Sequence, residues 1–426
     1  MIRTLLDRSP HIGLVTIELS GHLNPSTTLA RELISRGHRV TLFARVDAEA
    51  KARAAGLGFE AIGVEAFPLG AGAAATEVLG RLEGAAALRY TLKLLNEQAR
   101  LLLADLPDHL RAARLDLLLI DEISPAAEAV AEVLRIPYVT ICNALSLRSD
   151  PGLPPPLSGW RYHPGRLARL RNRLATLVLE GGERISRGDI RRYRAAHGLP
   201  AHAGEMRRAL IAQQPAFFDF PRVAQPEWFH YAGPFHDEAS GDDAGFPFDR
   251  LDERPLIFAS MGTLQNQQFE VFHTIAEACA GVDAQLVMTL GRRGAVTPPL
   301  LQALPGAPLV VPFAPQRALL ARAAVAITHA GLNTALEALV QGVPMVALPV
   351  TNDQPGVAAR LAWLGAAEVI PRARLEPAVL RRAVTRVLLE PSYRAAAQAA
   401  RAHIAQRPGV ALAADIIERV LASSTA

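Results

Sequence analysis

Cysteine is nearly absent. Cys142 and Cys279 are the only two in the chain, and neither sits in a metal-type spacing. A disulfide framework and a zinc site are thereby disfavoured, no metal is expected, and a reducing cytoplasm is the expected compartment. Lysine is equally scarce: Lys51 and Lys93 stand alone among 45 basic residues, so the net charge of +4 is carried by arginine. No interleaving of aromatic and basic residues follows the pattern of RNA-binding modules, and nucleic acid is not expected as a partner. No stretch approaches the ~20 apolar residues needed to span a bilayer. The opening "MIRTLLDRSPHIGLVTIELSGHLNP" has a short apolar run leading into a polar turn, unlike a signal peptide. A soluble or peripheral protein is expected. No Gly-x-Gly-x-x-Gly follows the first apolar run, which disfavours a dinucleotide oxidoreductase.

What is present points to two domains. The chain has 426 residues, of which 50% are hydrophobic and 20% charged, enough for large cores and against extensive disorder. Short apolar runs read as buried strands at 11–17, 39–44, 115–120 and 137–142, with helical patterns between them such as 25–36 and 126–134. The pattern restarts at 255–260, 284–290, 308–313, 324–329 and 344–349. Strand–helix alternation of this kind gives α/β domains built on doubly wound parallel sheets. The stretch 236–254 is rich in Gly, Pro and charge and reads as a linker. The expected division is a first domain over 1–235, a second over 255–390, and helices over 391–426 that pack back on the first domain. A ligand would lie in the cleft between the domains, at the carboxyl ends of both sheets.

The first strand pattern runs into "ELSGHLNPSTTLAREL". Asn24 followed by Pro25 reads as a helix cap and first helical residue. His22 then stands in a glycine-containing loop at the end of a strand, where functional side chains concentrate. A histidine acting as a base needs an orienting carboxylate on its other ring nitrogen. Asp121, directly after the buried run "LLLI", is the preferred partner, with Glu122 and Glu18 as competitors.

The stretch "FAPQRALLARAAVAITHAGLNTALEALVQGVPMVALPVTNDQ", 313–354, is the most informative. Phe313 ends a strand pattern and offers a flat face. The turn 329–334 opens a helix, whose N–H groups and dipole favour phosphate. Gly331 would let the backbone come close. Asp353 and Gln354 follow the next strand and suit hydroxyl groups. A purely structural alternative exists for Thr334 and Glu337, which form a capping-box pattern.

This segment resembles the donor signature of family-1 glycosyltransferases, which use nucleotide sugars and adopt the GT-B fold of two facing Rossmann-like domains. The signature's aromatic-x-Pro-Gln unit matches 313–316, its His-x-Gly-x-Asn-Ser/Thr unit matches 329–334, Glu337 follows, and Asp353-Gln354 closes it. "FASMGT" and "SGHLNP" resemble the family's glycine loop of the donor domain and its Gly-His turn. The resemblance implies UDP-glucose as donor, with no further cofactor. Phe313 would stack on uracil, and Ala314 and Gln316 would lie near the nucleoside. His329, Asn333 and Thr334 would hold the diphosphate with backbone groups of Gly331 and Leu332, and Gly262 and Thr263 would sit nearby. Glu337 would take the ribose, Asp353 and Gln354 the sugar. His22, oriented by Asp121, would be the base of an inverting, metal-independent transfer. Phe313 and Leu332 depart from the tryptophans common in plant members, which places the chain nearer the bacterial branch.

Over the whole chain the resemblance is greatest to the branch that glucosylates zeaxanthin, so the expected acceptor is a hydroxylated carotenoid, with a macrolide, polyphenol or sterol as alternative. The region 160–194 carries ten arginines against three acidic residues, interspersed with aliphatics. A basic amphipathic helix of that kind can lie on anionic lipid, giving peripheral contact with the inner membrane face; a solvated helical face is the plain alternative. A nucleotide-sugar epimerase and an inactive binding module are disfavoured by His22, Asp121 and the 313–354 pattern together.

Overall fold

The computed structural model describes residues 9–82, 84–201, 204, 206–222, 225–236, 245–263, 269–291, 301, 303–406 and 409–424; the middle of the 236–254 linker lies outside them. The first domain holds strands β1 (His11–Val15), β2 (Arg39–Ala44), β3 (Gly58–Ala61), β4 (Leu117–Asp121), β5 (Tyr138–Cys142), β6 (Arg207–Ala212) and β7 (Phe229–Tyr231). The second holds β8 (Leu256–Ser260), β9 (Gln285–Thr289), β10 (Leu309–Val311), β11 (Ala323–Thr328), β12 (Met345–Ala347) and β13 (Ala367–Val369). Both sheets are parallel, in the orders β3-β2-β1-β4-β5-β6-β7 and β10-β9-β8-β11-β12-β13. The central strands are buried along their whole length, as β1 and β4 show, which is why they read as unbroken apolar runs rather than alternating ones.

Helices of the first domain are α1 (Ser20–Ser35), α2 (Glu49–Ala54), α3 (Ala71–Gly80), α4 (Gly84–Ala113), α5 (Pro125–Val133), α6 (Arg166–Ser186) and α7 (Gly188–Ala196). The second domain carries α8 (Phe269–Cys279), α9 (Gln316–Leu320), α10 (Leu332–Val340), α11 (Gln354–Trp363) and α12 (Pro377–Leu389), followed by α13 (Pro391–Ala405) and α14 (Gly409–Ser424). The tail divides its packing. α13 lies on α10 of the second domain, whereas α14 returns to α1, where Arg36 bonds Asp415 and Glu418 at 2.6 and 2.8 Å. Among the described residues no helix is long and apolar enough to cross a membrane.

Each sheet reverses its strand order once, between β1 and β4 and between β8 and β11. Ligands of open α/β sheets bind where the carboxyl ends of such strands part. His22 follows β1 and Asp121 ends β4; Gly262 follows β8 and His329 follows β11. The topology alone therefore sends these residues to the two switch points.

The domains are joined by a buried ionic cluster. Asp219 Oδ1 accepts from Arg360 Nε at 2.8 Å, across from α11, while its Oδ2 accepts from Arg222 Nε at 2.8 Å and the Tyr231 hydroxyl at 2.6 Å. Asp219 and Arg360 side chains are each 1% exposed, and the Arg360 guanidinium lies 4.4 Å over the Phe220 ring. Burial pushes the Asp219 carboxyl up, but Arg360 and Arg222 outweigh it and hold it below the usual carboxylate range.

Candidate functional site

The first half of the site is built around Asp121. Its Oδ2 accepts from Thr16 Oγ1 and Asn143 Nδ2, each at 2.8 Å, and lies 2.8 Å from His22 Nδ1. Its Oδ1 accepts the Ile123 N–H at 3.2 Å. Asp121 is 1% exposed, whereas the His22 side chain is 15% exposed. Burial pulls the imidazole down, but the Asp121 charge and hydrogen bond, with Asp353 and Glu122 further off, hold it above its ordinary value. The competitors are engaged elsewhere. Glu18 accepts the Arg45 N–H at 3.2 Å, and Glu122 accepts the Leu147 N–H at 3.0 Å and is pushed up to about 7 by burial. With Nδ1 on a carboxylate, the tautomer that carries its proton on Nδ1 is favoured and Nε2 is left as the basic nitrogen.

The helix start differs from the sequence expectation. α1 begins at Ser20, not Pro25, so His22 belongs to its first turn rather than to a loop. The N–H groups of His22 and Leu23 both reach the Leu19 carbonyl at 2.8 Å. Asn24 cannot cap, because its side-chain oxygen is taken by Lys51. Pro25 then sits inside the helix, where its missing N–H leaves the carbonyl four residues back, that of Gly21, without its helical partner. That carbonyl accepts instead from Asn333 Nδ2 of the second domain at 2.7 Å. The Asn333 Oδ1 accepts from Gln213 Nε2 at 2.8 Å, so Asn333 bridges to the first domain through both ends of its amide.

In the second half, β11 ends in a tight turn. Ala330 has φ +63° and Asn352, in the turn before α11, has φ +56°, left-handed conformations that cost non-glycine residues of order 1–3 kcal/mol and concentrate at functional sites. The His329 ring lies between two glycines: a methyl on Gly262 would fall 2.6 Å from Cε1, and one on Gly331 2.5 Å from Nε2. Gly331 has φ −62°, so its role in this structure is to make room for the imidazole. Burial pushes His329 down to about 4, opposed by a backbone hydrogen bond at Ser260. His329 is therefore neutral at pH 7 and acts as a hydrogen-bonding group, not as a cation. Its Nδ1 has no partner among the described residues.

The capping-box alternative fails. The N-cap of α10 is Gly331, which has no side chain to cap with, and Thr334 is already the third helical residue. Gln316 Nε2 donates to Glu337 Oε2 at 2.5 Å and lies 3.4 Å from Thr334 Oγ1. The helical ladder begins at Ala335 N to Gly331 O. The N–H groups of Leu332, Asn333 and Thr334 are left without a capping side chain, the arrangement that binds anions at a helix start. Phe313 and buried Ala314 lie just past β10, Phe313 half-buried, and Thr263 is exposed beyond β8. Asp353 Oδ2 accepts the Leu145 N–H of the first domain at 3.1 Å, and burial pushes its carboxyl up. Gln354 Oε1 accepts from Val350 and Thr351 N–H at 2.9 and 3.1 Å, which leaves its amide nitrogen as the group it can offer.

Sequence reasoning did not identify Thr16, Asn143 or Gln213. Thr16 had the one usable signal, a hydroxyl just past the same strand that delivers His22. Asn143 stands just past β5, the neighbour of Asp121's own strand, and carried no motif.

Comparison with known proteins bears on the family and the fold. Residues 273–420 match the family model "Erythromycin biosynthesis protein CIII-like, C-terminal domain". The chain is 31% identical over 420 residues to the zeaxanthin glucosyltransferase of Pantoea ananas, covering 96% of each chain. It is also 31% identical to that of Pseudescherichia vulneris, covering 97% of this chain and 98% of the relative. The crystal structure of the glycotransferase of kitacinnamycin superposes with a TM-score of 0.73 at 26% identity, over 97% of this chain and 99% of that one. A likeness that runs through both domains leaves one assignment: the chain belongs to the family-1 glycosyltransferases of GT-B fold.

Proposed function

We propose that this glycosyltransferase moves glucose from UDP-glucose to a hydroxyl of a lipophilic acceptor, a hydroxylated carotenoid of the zeaxanthin type, with inversion at the anomeric carbon. The observation that carries the reading is the 2.7 Å bond between Asn333 and the Gly21 carbonyl. It sets the open start of α10 one residue from His22, so that a base and an anion site face each other across the cleft. His22 Nε2 takes the proton of the acceptor hydroxyl. The oxygen forms a bond to the anomeric carbon as the bond to the diphosphate oxygen breaks, and UDP leaves with the electron pair. The free N–H groups of 332–334 stabilise the charge that develops on the leaving group, and the His329 ring, packed between Gly262 and Gly331, holds the shape of that turn. Phe313, Ala314 and Gln316 take the nucleoside, Glu337 the ribose, Gly262 and Thr263 the phosphate side, and Asp353 with Gln354 the glucose. Neither a metal nor a further cofactor enters the proposal. The two relatives named for zeaxanthin support the acceptor class. The test is incubation with UDP-glucose and either zeaxanthin or a flavonoid, with mass analysis of the products. Glucosylated zeaxanthin is expected; transfer to the flavonoid alone would overturn the carotenoid reading.

The pH dependence follows from the sign of the His22 shift. A base works only when unprotonated, and Asp121 holds the His22 pKa above 6.5. Activity should therefore rise with pH along a limb centred above 6.5. Asp121→Asn removes the charge that raises the pKa while burial still lowers it, so the limb should move to lower pH as turnover falls. A limb that stays in place in this variant would count against His22 as the titrating group.

Gly331→Ala forces a methyl against the His329 ring in a closed space. Overpacking of this kind costs typically ~1–3 kcal/mol of stability, and the displaced ring and turn should weaken UDP binding with the fold retained. Titration calorimetry with UDP reads it, and unchanged affinity would remove His329 from the donor site.

A further inference from the structure

Helix α6 is packed inside out. Its buried positions are polar: Asn172 is fully buried and donates to the Gly152 carbonyl at 3.1 Å, and Thr176 is 4% exposed. Its aliphatic side chains face outward, with Leu167 84%, Leu170 55%, Leu174 56%, Leu177 63% and Val178 75% exposed. The spacing 167, 170, 174, 177, 178 places all five on one helical face. With Leu157 and Trp160 this face lines an open groove of about 690 Å³. A water-facing helix ordinarily turns such residues to the core. Here the core side is occupied by an asparagine and a threonine, so the apolar face is without a partner among the described residues.

Charge identifies what suits it. Between Asp150 and Glu180 there is no acidic residue, while Arg161, Arg166, Arg169, Arg171 and Arg173 fall in that interval. Arg166, Arg169 and Arg173 are exposed along one flank of the apolar face, and Arg171 lies 4.3 Å over the Trp160 ring on the other. An apolar stripe flanked by arginines, with Glu180 alone at its far end, is complementary to an anionic bilayer, whose headgroups take the arginines while the stripe enters the acyl boundary. A second copy of this chain would instead bring like-charged arginines together around the same stripe.

The helix also springs from the rim of the cleft. Tyr162 stacks on Phe220 at 5.5 Å and meets Trp363 edge-on at 5.2 Å. A methyl on Gly356, two residues into α11, would overlap the Pro156 carbonyl. The segment leading into α6 thus rests on the helix that Asp353 precedes.

We infer that the outward face of α6 docks the protein on anionic membrane with the cleft mouth at the lipid surface, where a lipophilic acceptor is dissolved. That use rests on the acceptor reading above; the docking does not. The test is co-sedimentation of the full chain with phosphatidylcholine vesicles, with and without phosphatidylglycerol. Binding should increase at least tenfold with the anionic lipid and weaken with salt. The triple variants Leu170→Gln/Leu174→Gln/Val178→Gln and Arg166→Gln/Arg169→Gln/Arg173→Gln should each lose tenfold or more with unchanged circular dichroism. These positions are exposed, so both variants are expected to fold. Binding that is absent, indifferent to the anionic lipid or unaffected by both variants overturns the inference. So does a dimer in sedimentation velocity that the aliphatic variant dissociates, which would make a second copy the occupant. Vesicle binding that meets these expectations while zeaxanthin is not glucosylated leaves the docking standing and removes only the acceptor reading.

Discussion

Replacing His22 with alanine is expected to lower turnover by roughly 10²–10⁴-fold, the usual worth of a positioned general base, while UDP affinity stays within about twofold of the parent by the same argument. The split follows from the contacts. The His22 side chain is held by Asp121 and touches the first domain's half of the cleft. The link to the donor turn runs through the backbone of the preceding residue, Gly21, which alanine at 22 leaves in place. Buried Asp121 keeps Thr16 and Asn143 as donors, so the variant does not strand an unpaired carboxylate. Single-turnover transfer together with UDP calorimetry reads both quantities. Near-full turnover would remove His22 from the chemistry. A parallel loss of UDP binding would make it a structural residue of the interdomain contact.

Asp219→Ala is expected to be the most damaging change to stability, about 3–5 kcal/mol, the scale at which one side of a buried ionic cluster is lost. It leaves the guanidinium groups of Arg222 and Arg360 together, 5% and 1% exposed, without their shared carboxylate. It also cuts the side-chain bridge from the first domain to α11, the helix that Asp353 precedes, so donor binding should weaken together with the unfolding midpoint. Asp219→Asn keeps an oxygen acceptor and should fall between the two. Thermal or urea unfolding of the three proteins measures the order; equal midpoints for Asp219→Ala and the parent would show that the cluster contributes nothing net. An exposed ion pair such as Arg254–Asp252 offers a contrast, since solvent screens it and its removal should leave the unfolding midpoint nearly unchanged.

The sheets were legible because their central strands are buried on both faces and read as continuous apolar runs. The switch-point residues were legible for the same reason, since the end of such a run marks where a side chain meets the cleft. The strands missed were the weak ones. β7 spans three residues, and β6 opens on two arginines, so neither carries enough apolar pattern to be separated from loop. The start of α1 was misread although Asn24-Pro25 is a strong local signal. Lys51, 27 residues on, takes the asparagine's oxygen, and Asn333, 312 residues from Gly21, takes the carbonyl that proline leaves without its helical partner. Both are tertiary events that no local window contains. Asn143 and Gln213 were invisible on similar grounds, because their meaning lies in bonds to Asp121, 22 residues away, and to Asn333, 120 residues away. In α6 the amphipathic period was readable, but not which face turned inward; burial of Asn172 and Thr176 decides that.

These contacts also explain why the signature in the second domain could pass for an ordinary helix cap. Thr334 and Glu337 have the right identities and spacing, yet Gln316 engages both from α9. The three N–H groups ahead of Ala335 are open because the helix starts earlier, at Leu332, and its N-cap Gly331 has no side chain to cap them, an arrangement suited to an anion.

In the proposed reaction His22 and the open start of α10 stand on opposite sides of the cleft, so transfer would be a single displacement. The anomeric configuration of the product tests this most directly. With UDP-glucose, in which the glucose is α-linked, the glucoside isolated and read by its anomeric proton coupling in NMR should be β alone. An α-glucoside, or a mixture formed from the start of the reaction, would contradict it.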